Sequence, residues 1–365
     1  MNSLSFYSGK TVLITGHTGF KGAWLTAWLQ RLGAKVAGIA LPVESNPSHF
    51  KAAGLADGMT DIRLDIRDRM AVEGVFSSIQ PDVVFHLAAQ AIVRRSYEDP
   101  VETWQTNVLG TLHVLEALRK IDKPCAAVII TSDKCYDNVE WVWGYRETDS
   151  LGGPDPYSAS KGAAELVIRS HIKSYFPKAS SKVRIASARA GNVIGGGDWA
   201  DDRIVPDCVR AWSRNEAVDL RNPAATRPWQ HVLEPLSGYL SLAQALSERG
   251  ELHGEPFNFG PQAQQNHSVM QLIQEMALYW DKVRWIDRSK TSQGPYESGL
   301  LKLNCDKALH HLGWHAVMSF EETVKTTAEW YRAYYDNPRA IANITQAQIG
   351  TYVDNALKAG MTWAQ

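Results

Sequence analysis

Tyr157 and Lys161 stand four residues apart in the segment Tyr-Ser-Ala-Ser-Lys. On a helix that spacing puts both side chains on one face. A lysine ammonium beside a phenol favours the phenolate and draws its pKa down from about 10. The pair would then act as a general base towards a hydroxyl group, with Lys161 also able to hold a ribose. The spacing occurs by chance in many helices, so its weight rests on its company. Upstream, an apolar run closes on Thr131-Ser132-Asp133-Lys134. A hydroxyl at Ser132 can hydrogen-bond the same reacting group. A surface ion pair would be the plain account of Asp133 and Lys134; next to Ser132 and Tyr157 the chemical account is preferred.

A second group of residues would hold a phosphate. Gly16-His17-Thr18-Gly19-Phe20-Lys21-Gly22 joins an apolar strand to a helical period. Gly16 permits a tight turn, Gly19 lets the backbone approach a pyrophosphate, and Gly22 lets the helix pack on the strand. The helix start then offers free N–H groups to the anion. Directly after a first strand, this spacing points to a dinucleotide. An acid for the adenosine ribose is expected about 20 residues further on. Positions 39–42 are instead Ile-Ala-Leu-Pro, and the nearest acid is Glu44. No arginine lies between Arg31 and Arg63 to clamp a 2′-phosphate, so the choice between NAD and NADP stays open here. Lys21 either pairs with the pyrophosphate or is a solvated lysine at a helix start. Asp65-Ile66, after a third short strand, either meets an adenine edge or makes a plain turn.

These residues need a scaffold of strands and helices in alternation. Strands are expected at 10–15, 35–40, 62–64, 82–87, 126–132 and 183–190. Helices are expected at 21–32, closed by Gly33, and at 106–118 and 157–176. Strand and helix in turn mean a parallel sheet with right-handed crossovers. The fold class is α/β, a Rossmann doubly wound parallel sheet with a smaller C-terminal mixed α/β lobe. Residues 1–190 make the dinucleotide-binding domain, with segments at about 226–262 returning to it. Residues 191–365 make mainly the substrate lobe, with helices at 269–280 and 321–335.

The chain has 365 residues, 38 basic against 39 acidic, and 44% hydrophobic residues. That balance gives no global field to attract nucleic acid or an anionic membrane. No apolar run approaches the roughly 18 residues of a membrane span, and the N-terminal stretch has no signal core. Cys125, Cys135, Cys208 and Cys305 form no Cys-x-x-Cys pair and read as reduced cytoplasmic thiols. His310, His311 and His315 read as capping or solvent-facing residues, with no metal site expected.

His86-Leu87-Ala88-Ala89 follows the fourth strand, and Asn107 lies in Thr-Asn-Val-Leu-Gly. With the glycine loop, Ser132, Tyr157 and Lys161, they make the chain resemble the extended short-chain dehydrogenase/reductase superfamily over essentially its full length. Within it, the sequence is similar to the nucleotide-sugar 4,6-dehydratases. Those usually carry Thr-Asp-Glu after the fifth strand, where this chain has Ser132, Asp133 and Lys134. That variant, with Gly191-Asn-Val-Ile-Gly-Gly-Gly-Asp-Trp199, resembles the branch acting on CDP-glucose.

The resemblance implies NAD as cofactor, held by the loop 16–22, by Asp65 and Ile66, by Leu87, Ala88 and Ala89, and by Asn107, Tyr157 and Lys161. It implies a nucleotide-sugar substrate touched by Arg94, Asn192, Arg203, Arg227 and Tyr296. Arg227 is the best candidate for the diphosphate, because a guanidinium binds it bidentately. The implied reaction is oxidation at C4 with proton transfer to Tyr157, loss of water across C5 and C6 with Asp133 as acid, and hydride return to C6. Lys134 is either the C5 base, if burial or a nearby cation keeps it neutral, or a stabiliser of the enolate. A homodimer or homotetramer built on helices 106–118 and 157–176 is implied, in a bacterial deoxysugar route to surface polysaccharide. A dehydratase for another nucleotide, a 4-epimerase and a dinucleotide-sensing scaffold without catalysis are the rival readings.

Overall fold

A computed structural model describes residues 3–43, 45–289 and 300–365. Seven strands form the central sheet: β1 Thr11–Thr15, β2 Lys35–Ala40, β3 Thr60–Arg63, β4 Val83–His86, β5 Cys125–Ile130, β6 Val183–Arg189 and β7 Pro256–Asn258. Their order is β7-β6-β5-β4-β1-β2-β3, and every neighbouring pair is parallel. The order reverses between β1 and β4, the crevice where this kind of fold binds ligands.

Both faces of the sheet are covered, which explains the unbroken apolar runs in the sequence. Val12 and Ile14 of β1 enter one core and Leu13 the other. The second core lies under α2 Arg69–Ile79, α3 Thr111–Arg119 and α4 Pro156–Tyr175. The first takes α1 Phe20–Arg31 and α5 Leu233–Glu248.

Beyond β6 the strands become short pairs: Val193–Ile194 with Gln230–His231, Thr226–Arg227 with His267–Ser268, and Val218–Leu220 with Trp285–Asp287. Helices Ile204–Ser213 and Val269–Met276 accompany them. Of the C-terminal helices, α6 Phe320–Asp336 stays with these pairs, Phe320 stacking on His267 at 3.8 Å, whereas α7 Ile341–Lys358 turns back to the sheet. Tyr352 of α7 meets Trp28 of α1 edge to face at 5.7 Å, so the end of the chain packs on the first helix. Residues 105–110, expected to begin a regular helix, form a π-helical turn ahead of α3. Among the described residues no helix is long and apolar enough to cross a membrane.

Candidate active site

The catalytic helix is fixed at its first turn. Pro156 opens α4, and the Asp155 carboxylate accepts from the Ser158 amide at 2.9 Å and its hydroxyl at 2.6 Å. The cap leaves Tyr157, Lys161 and Glu165 on one face, all buried. Glu165 is the deepest anchor. Thr131, the residue after β5, donates to it at 2.5 Å, Ser187 of β6 at 2.9 Å, and Arg189 of β6 at 2.9 and 3.0 Å. Burial works against ionisation of Glu165, but the Arg189 guanidinium and the two hydroxyls outweigh it and hold the carboxyl below its usual range. One carboxylate therefore ties the helix bearing Tyr157 to both neighbouring strands.

At the end of β5 the chain turns through a short 3-10 helix, residues 133–135, capped by Ser132. Asp133 is buried here. Its Oδ1 accepts from Ser132 Oγ and from the Lys134 amide, each at 2.9 Å. Its Oδ2 accepts from the Asn192 amide at 3.2 Å. The carboxylate lies on Gly191, where an added Cβ would stand 1.8 Å from Oδ2. Asn192, expected at the sugar or the phosphate, is in this structure tied to Asp133. It adopts the left-handed region at φ 53°, which turns its amide inward.

The electrostatics depart from the expectation for Tyr157. Burial pushes the phenol up to about 12; the Ser132 hydroxyl pulls it down, Asp133 pushes it up and Arg203 pulls it down. The Lys161 ammonium lies 6.0 Å from the phenol ring centroid, too far to reverse the cost of burial. Burial lowers Lys161 itself to about 8, against the upward pull of Cys135 and Glu165. Lys21, from the glycine loop, is also lowered to about 8 by burial, with Asp133 raising it and Arg203 and Lys161 lowering it. Its ammonium thus belongs to the same site. Lys134, by contrast, is exposed.

The cradle for a dinucleotide is present at the start of α1. Gly16 has φ 77°, and a Cβ there would meet the Ala88 amide nitrogen at 2.7 Å. A Cβ at Gly22 would meet the Gly16 carbonyl oxygen at 2.1 Å. Only glycine permits this turn and this packing. Gly19 occupies the N-cap position of α1 with no side-chain cap, which leaves first-turn N–H groups for an anion. The residues present fit a bound dinucleotide. His17 is wholly buried and turned away from it, its ring seated on Gly38 and its Nε2 2.9 Å from Asp61. Phe20 lies beneath Gly195.

Leu87 and Ala88 are held to β1, the first through the Thr15 carbonyl and the second through the Thr15 hydroxyl at 3.1 Å. Ala89 follows them into the loop. Asn107 lies further along, on the π-helical turn. Its side chain is buried and engaged, accepting from the Gln90 amide at 2.9 Å and donating to Gln90 O at 3.0 Å and Ser160 Oγ at 2.9 Å. These bonds fix the loop that follows β4. Asp65 is also engaged, held by Arg67 at 2.6 and 2.8 Å, and Ile66 packs against Gly110.

The expected substrate residues are spread around the mouth. Arg203 is half-buried, paired with Asp198 at 2.8 Å, and its charge is felt by Tyr157. Arg94 is exposed and meets Asp202 at 3.2 Å. Arg227 lies on the short strand Thr226–Arg227, its guanidinium donating to the Thr226 carbonyl at 2.8 Å. Tyr296, like Glu44 of the ribose region, lies outside the described residues. Sequence reasoning missed Glu165, Arg189, Gly191 and Asp198. Glu165 had a signal, since it continues the spacing of Tyr157 and Lys161 by one further turn.

Comparison with known proteins places this arrangement. The family model described as GDP-mannose 4,6 dehydratase matches residues 13–327. The chain is 47% identical to the CDP-glucose 4,6-dehydratase of Salmonella typhimurium, over 90% of this chain and 92% of that one. It is 22% identical to a UDP-glucose 4-epimerase of Mycoplasma genitalium, over 89% and 97% of the two chains. Among solved structures, the epimerase Mth375 of Methanothermobacter thermautotrophicus superposes with a TM-score of 0.79 at 24% identity, covering 93% of this chain and 97% of that one. The dTDP-glucose 4,6-dehydratase of Bacillus anthracis, in complex with NAD, superposes with a TM-score of 0.71 at 19% identity, covering 89% and 97%. A family match over most of the length, joined to a relative nearly half identical, means that this chain belongs to the GDP-mannose 4,6-dehydratase family of nucleotide-sugar dehydratases.

Proposed function

We propose that this chain converts CDP-D-glucose to CDP-4-dehydro-6-deoxy-D-glucose and water. The observation that carries this reading is the Asp133 carboxylate, seated on Gly191 and hydrogen-bonded to Ser132, next to the Tyr157 hydroxyl. Oxidation at C4 needs Ser132, Tyr157 and Lys161. An epimerase needs nothing more, whereas elimination needs an acid for the leaving hydroxyl, and Asp133 supplies one. NAD, when bound in the loop 16–22, supplies a hydride acceptor and returns the hydride, so the reaction has no net redox change.

The chain's own residues handle protons and position. Tyr157 takes the proton of the C4 hydroxyl while Ser132 Oγ holds that oxygen. Lys161, one turn away on the same face of α4, would hold the ribose of the bound cofactor. Oxidation at C4 acidifies the C5 proton, which passes either to Lys134 in its neutral form or to another base while the Lys134 ammonium stabilises the enolate. Asp133 delivers a proton to the departing C6 hydroxyl. Arg203 and Arg227 supply cationic donors for the diphosphate, with Arg94 at the mouth. Residues 1–190, with 226–262, hold the cofactor, and 191–365 mainly hold the nucleotide sugar.

We assign the protein to the cytoplasm, in deoxysugar synthesis for surface polysaccharide, as a homodimer or homotetramer. The oligomer reading is supported by an apolar groove lined by Val101, Trp104, Val108 and Leu109 beside α3, with Val101, Trp104 and Leu109 exposed and Leu166 of α4 also exposed.

The test is incubation with CDP-glucose, dTDP-glucose, UDP-glucose and GDP-mannose in turn, with and without added NAD, followed by the alkali-induced absorbance of a 4-keto-6-deoxy sugar. Product from CDP-glucose is expected. Product only from another nucleotide would overturn the cytidine assignment. A C4 epimer without keto sugar would overturn the dehydratase reading.

A further inference from the structure

The proposed reaction moves protons at three carbons, and two of these movements must be reconciled. Oxidation at C4 leaves a proton on Tyr157. Departure of the C6 hydroxyl as water needs a proton from Asp133. The C5 proton is taken off and later put back, so it drops out of the balance. In number, the water that leaves is the C6 hydroxyl group plus the proton lost at C4. Every turnover must therefore load Asp133 and unload Tyr157.

One hydroxyl joins the two groups. Tyr157, Ser132 and Asp133 are 8%, 6% and 5% exposed, which sets all three back from bulk solvent. Ser132 Oγ donates to Asp133 Oδ1 at 2.9 Å and accepts from the Lys134 amide at 3.2 Å. A serine hydroxyl has one O–H and two lone pairs. Its second lone pair is left for the Tyr157 hydroxyl, to which Ser132 is hydrogen-bonded. The O–H is turned to the acid and the open lone pair to the phenol, the polarity that carries a proton from Tyr157 to Asp133. Among the described residues the partners of the Asp133 carboxylate are Ser132 Oγ, the Lys134 amide and the Asn192 amide, all donors. A carboxylic O–H there needs an acceptor, and the C6 oxygen of the substrate is one. Burial pushes the Tyr157 phenol up to about 12, so it does not shed its proton to neutral water. A departing hydroxide, whose conjugate acid has a pKa of about 15.7, takes it downhill.

We propose that the proton gained by Tyr157 at C4 is relayed through Ser132 to Asp133 and leaves in the water formed at C6, which makes Ser132 a proton carrier as well as the holder of the C4 oxygen. The Tyr157 O–H passes its proton to Ser132 Oγ as the Ser132 O–H passes its own to Asp133 Oδ1. Asp133 yields a proton to the C6 oxygen as the C6–O bond breaks, the bonding pair leaving with the oxygen. The electron pair of the C5–H bond becomes the C5–C6 double bond. Tyr157 is left as the phenolate that the next C4 hydroxyl needs, and no proton is exchanged with solvent along this path. The proposal rests on the dehydratase reading with Asp133 as the acid.

The experiment starts at the ketone, so that the part of Ser132 in C4 oxidation does not enter. The 4-dehydro form of CDP-glucose and its 6-deoxy-6-fluoro analogue are each mixed with the protein holding NADH, and the 4-dehydro-6-deoxy product is measured by mass spectrometry. Both lose their C6 group to give the same unsaturated ketone, but fluoride leaves without a proton. In mixtures of H2O and D2O, the rate for the hydroxy ketone should bow below a straight line against deuterium content, because several protons move in one step. The fluoro ketone should give a straight line. Ser132→Ala should slow the hydroxy ketone on the order of 10²-fold, the loss expected when an acid cannot be supplied. It should leave the fluoro ketone little changed, and Ser132→Thr should restore most of the rate. A straight line for the parent protein with the hydroxy ketone overturns the relay, since one proton from Asp133 then suffices, while the dehydratase reading stands. So does a folded Ser132→Ala protein that slows both ketones alike or neither. Product from neither ketone with the parent protein overturns the dehydratase reading as well.

Discussion

Gly191→Ala should separate the elimination from the rest of the reaction. The added Cβ would stand 1.8 Å from Asp133 Oδ2, 2.0 Å from its Cγ and 2.3 Å from Oδ1. An ordinary carbon–oxygen contact is about 3.3 Å. The carboxylate must therefore retreat by roughly 1.5 Å, and its hydrogen bond from Asn192 cannot survive. Gly191 is not in the left-handed region, so alanine brings little backbone strain, and the effect falls on the carboxylate. A misplacement of about 1 Å at a reacting group costs on the order of 10²-fold. The expected result is a fall in kcat of about that size for keto-sugar formation from CDP-glucose, with KM little changed. Oxidation at C4 does not use Asp133, so reduced nicotinamide, followed by its near-ultraviolet absorbance, should build up during turnover. Asp133→Asn, which removes the acid without crowding it, should behave alike. A folded Gly191→Ala protein with kcat within about threefold of the parent would refute the assignment of Asp133 as the acid.

Four further changes test the scaffold and the site. Gly16→Ala places a Cβ 2.7 Å from the Ala88 amide at φ 77°, so thermal melts should show a loss of about 1–3 kcal/mol, and titration an NAD⁺ affinity at least about tenfold weaker. Glu165→Ala leaves Arg189 buried without its carboxylate, and urea unfolding should show a loss of about 3–5 kcal/mol. Burial raises Glu234 to about 7 despite the Met318 and Val317 amides and Tyr352 that donate to it. Its folded value lies above its unfolded one, so its contribution is full below about pH 4.5 and lost as pH rises through about 7. Glu234→Gln should therefore flatten the pH dependence of stability by on the order of 3 kcal/mol between pH 5 and 8 in parallel urea curves. Leu109→Glu puts a charge in the exposed apolar groove beside α3, and light scattering should show a shift to the monomer.

What was legible in the sequence was whatever repeats at short range. The strands alternate with helices, and the glycine loop joins β1 to α1 within one turn of the positions expected. Tyr157 and Lys161 declared themselves by spacing on α4. Helix α5 was not anticipated: it is buried nearly all round, so Leu-Glu-Pro-Leu-Ser-Gly-Tyr-Leu shows no apolar stripe, and it contains Pro235 and Gly238, both poor helix formers. Pro235 sits in the first turns, where its missing N–H costs little, and Gly238 makes room for the Phe259 ring, 2.2 Å from where a Cβ would stand. The protein partners of Asn107 and Asn192 were not legible, because an amide in a motif has no visible partner in a linear sequence. Their partners, Gln90, Ser160 and Asp133, come from other elements. The Tyr157 phenol went wrong for a related reason: spacing reveals the neighbouring lysine but not the burial that opposes it.

The buried pair Glu165–Arg189 shows why the site is built on charge rather than on apolar packing. Replacing such a pair with apolar side chains of similar volume is often neutral for stability or better. Stability alone does not explain two charges 2% and 4% exposed beneath the site. Apolar contacts are non-directional, so a helix resting on them can rotate or slide while keeping its buried area. The carboxylate of Glu165 accepts from Thr131, Ser187 and Arg189 at set distances, and Arg189 goes on to Tyr136 at 2.7 Å. Rotation of α4 would break several of these bonds together. Thr131 immediately precedes Ser132 and Asp133, and Arg189 ends the strand that leads into Gly191 and Asn192. One buried carboxylate thus sets the relative positions of the phenol, the acid and the amide that holds the acid, the three that the chemistry requires within an ångström of one another's expected places.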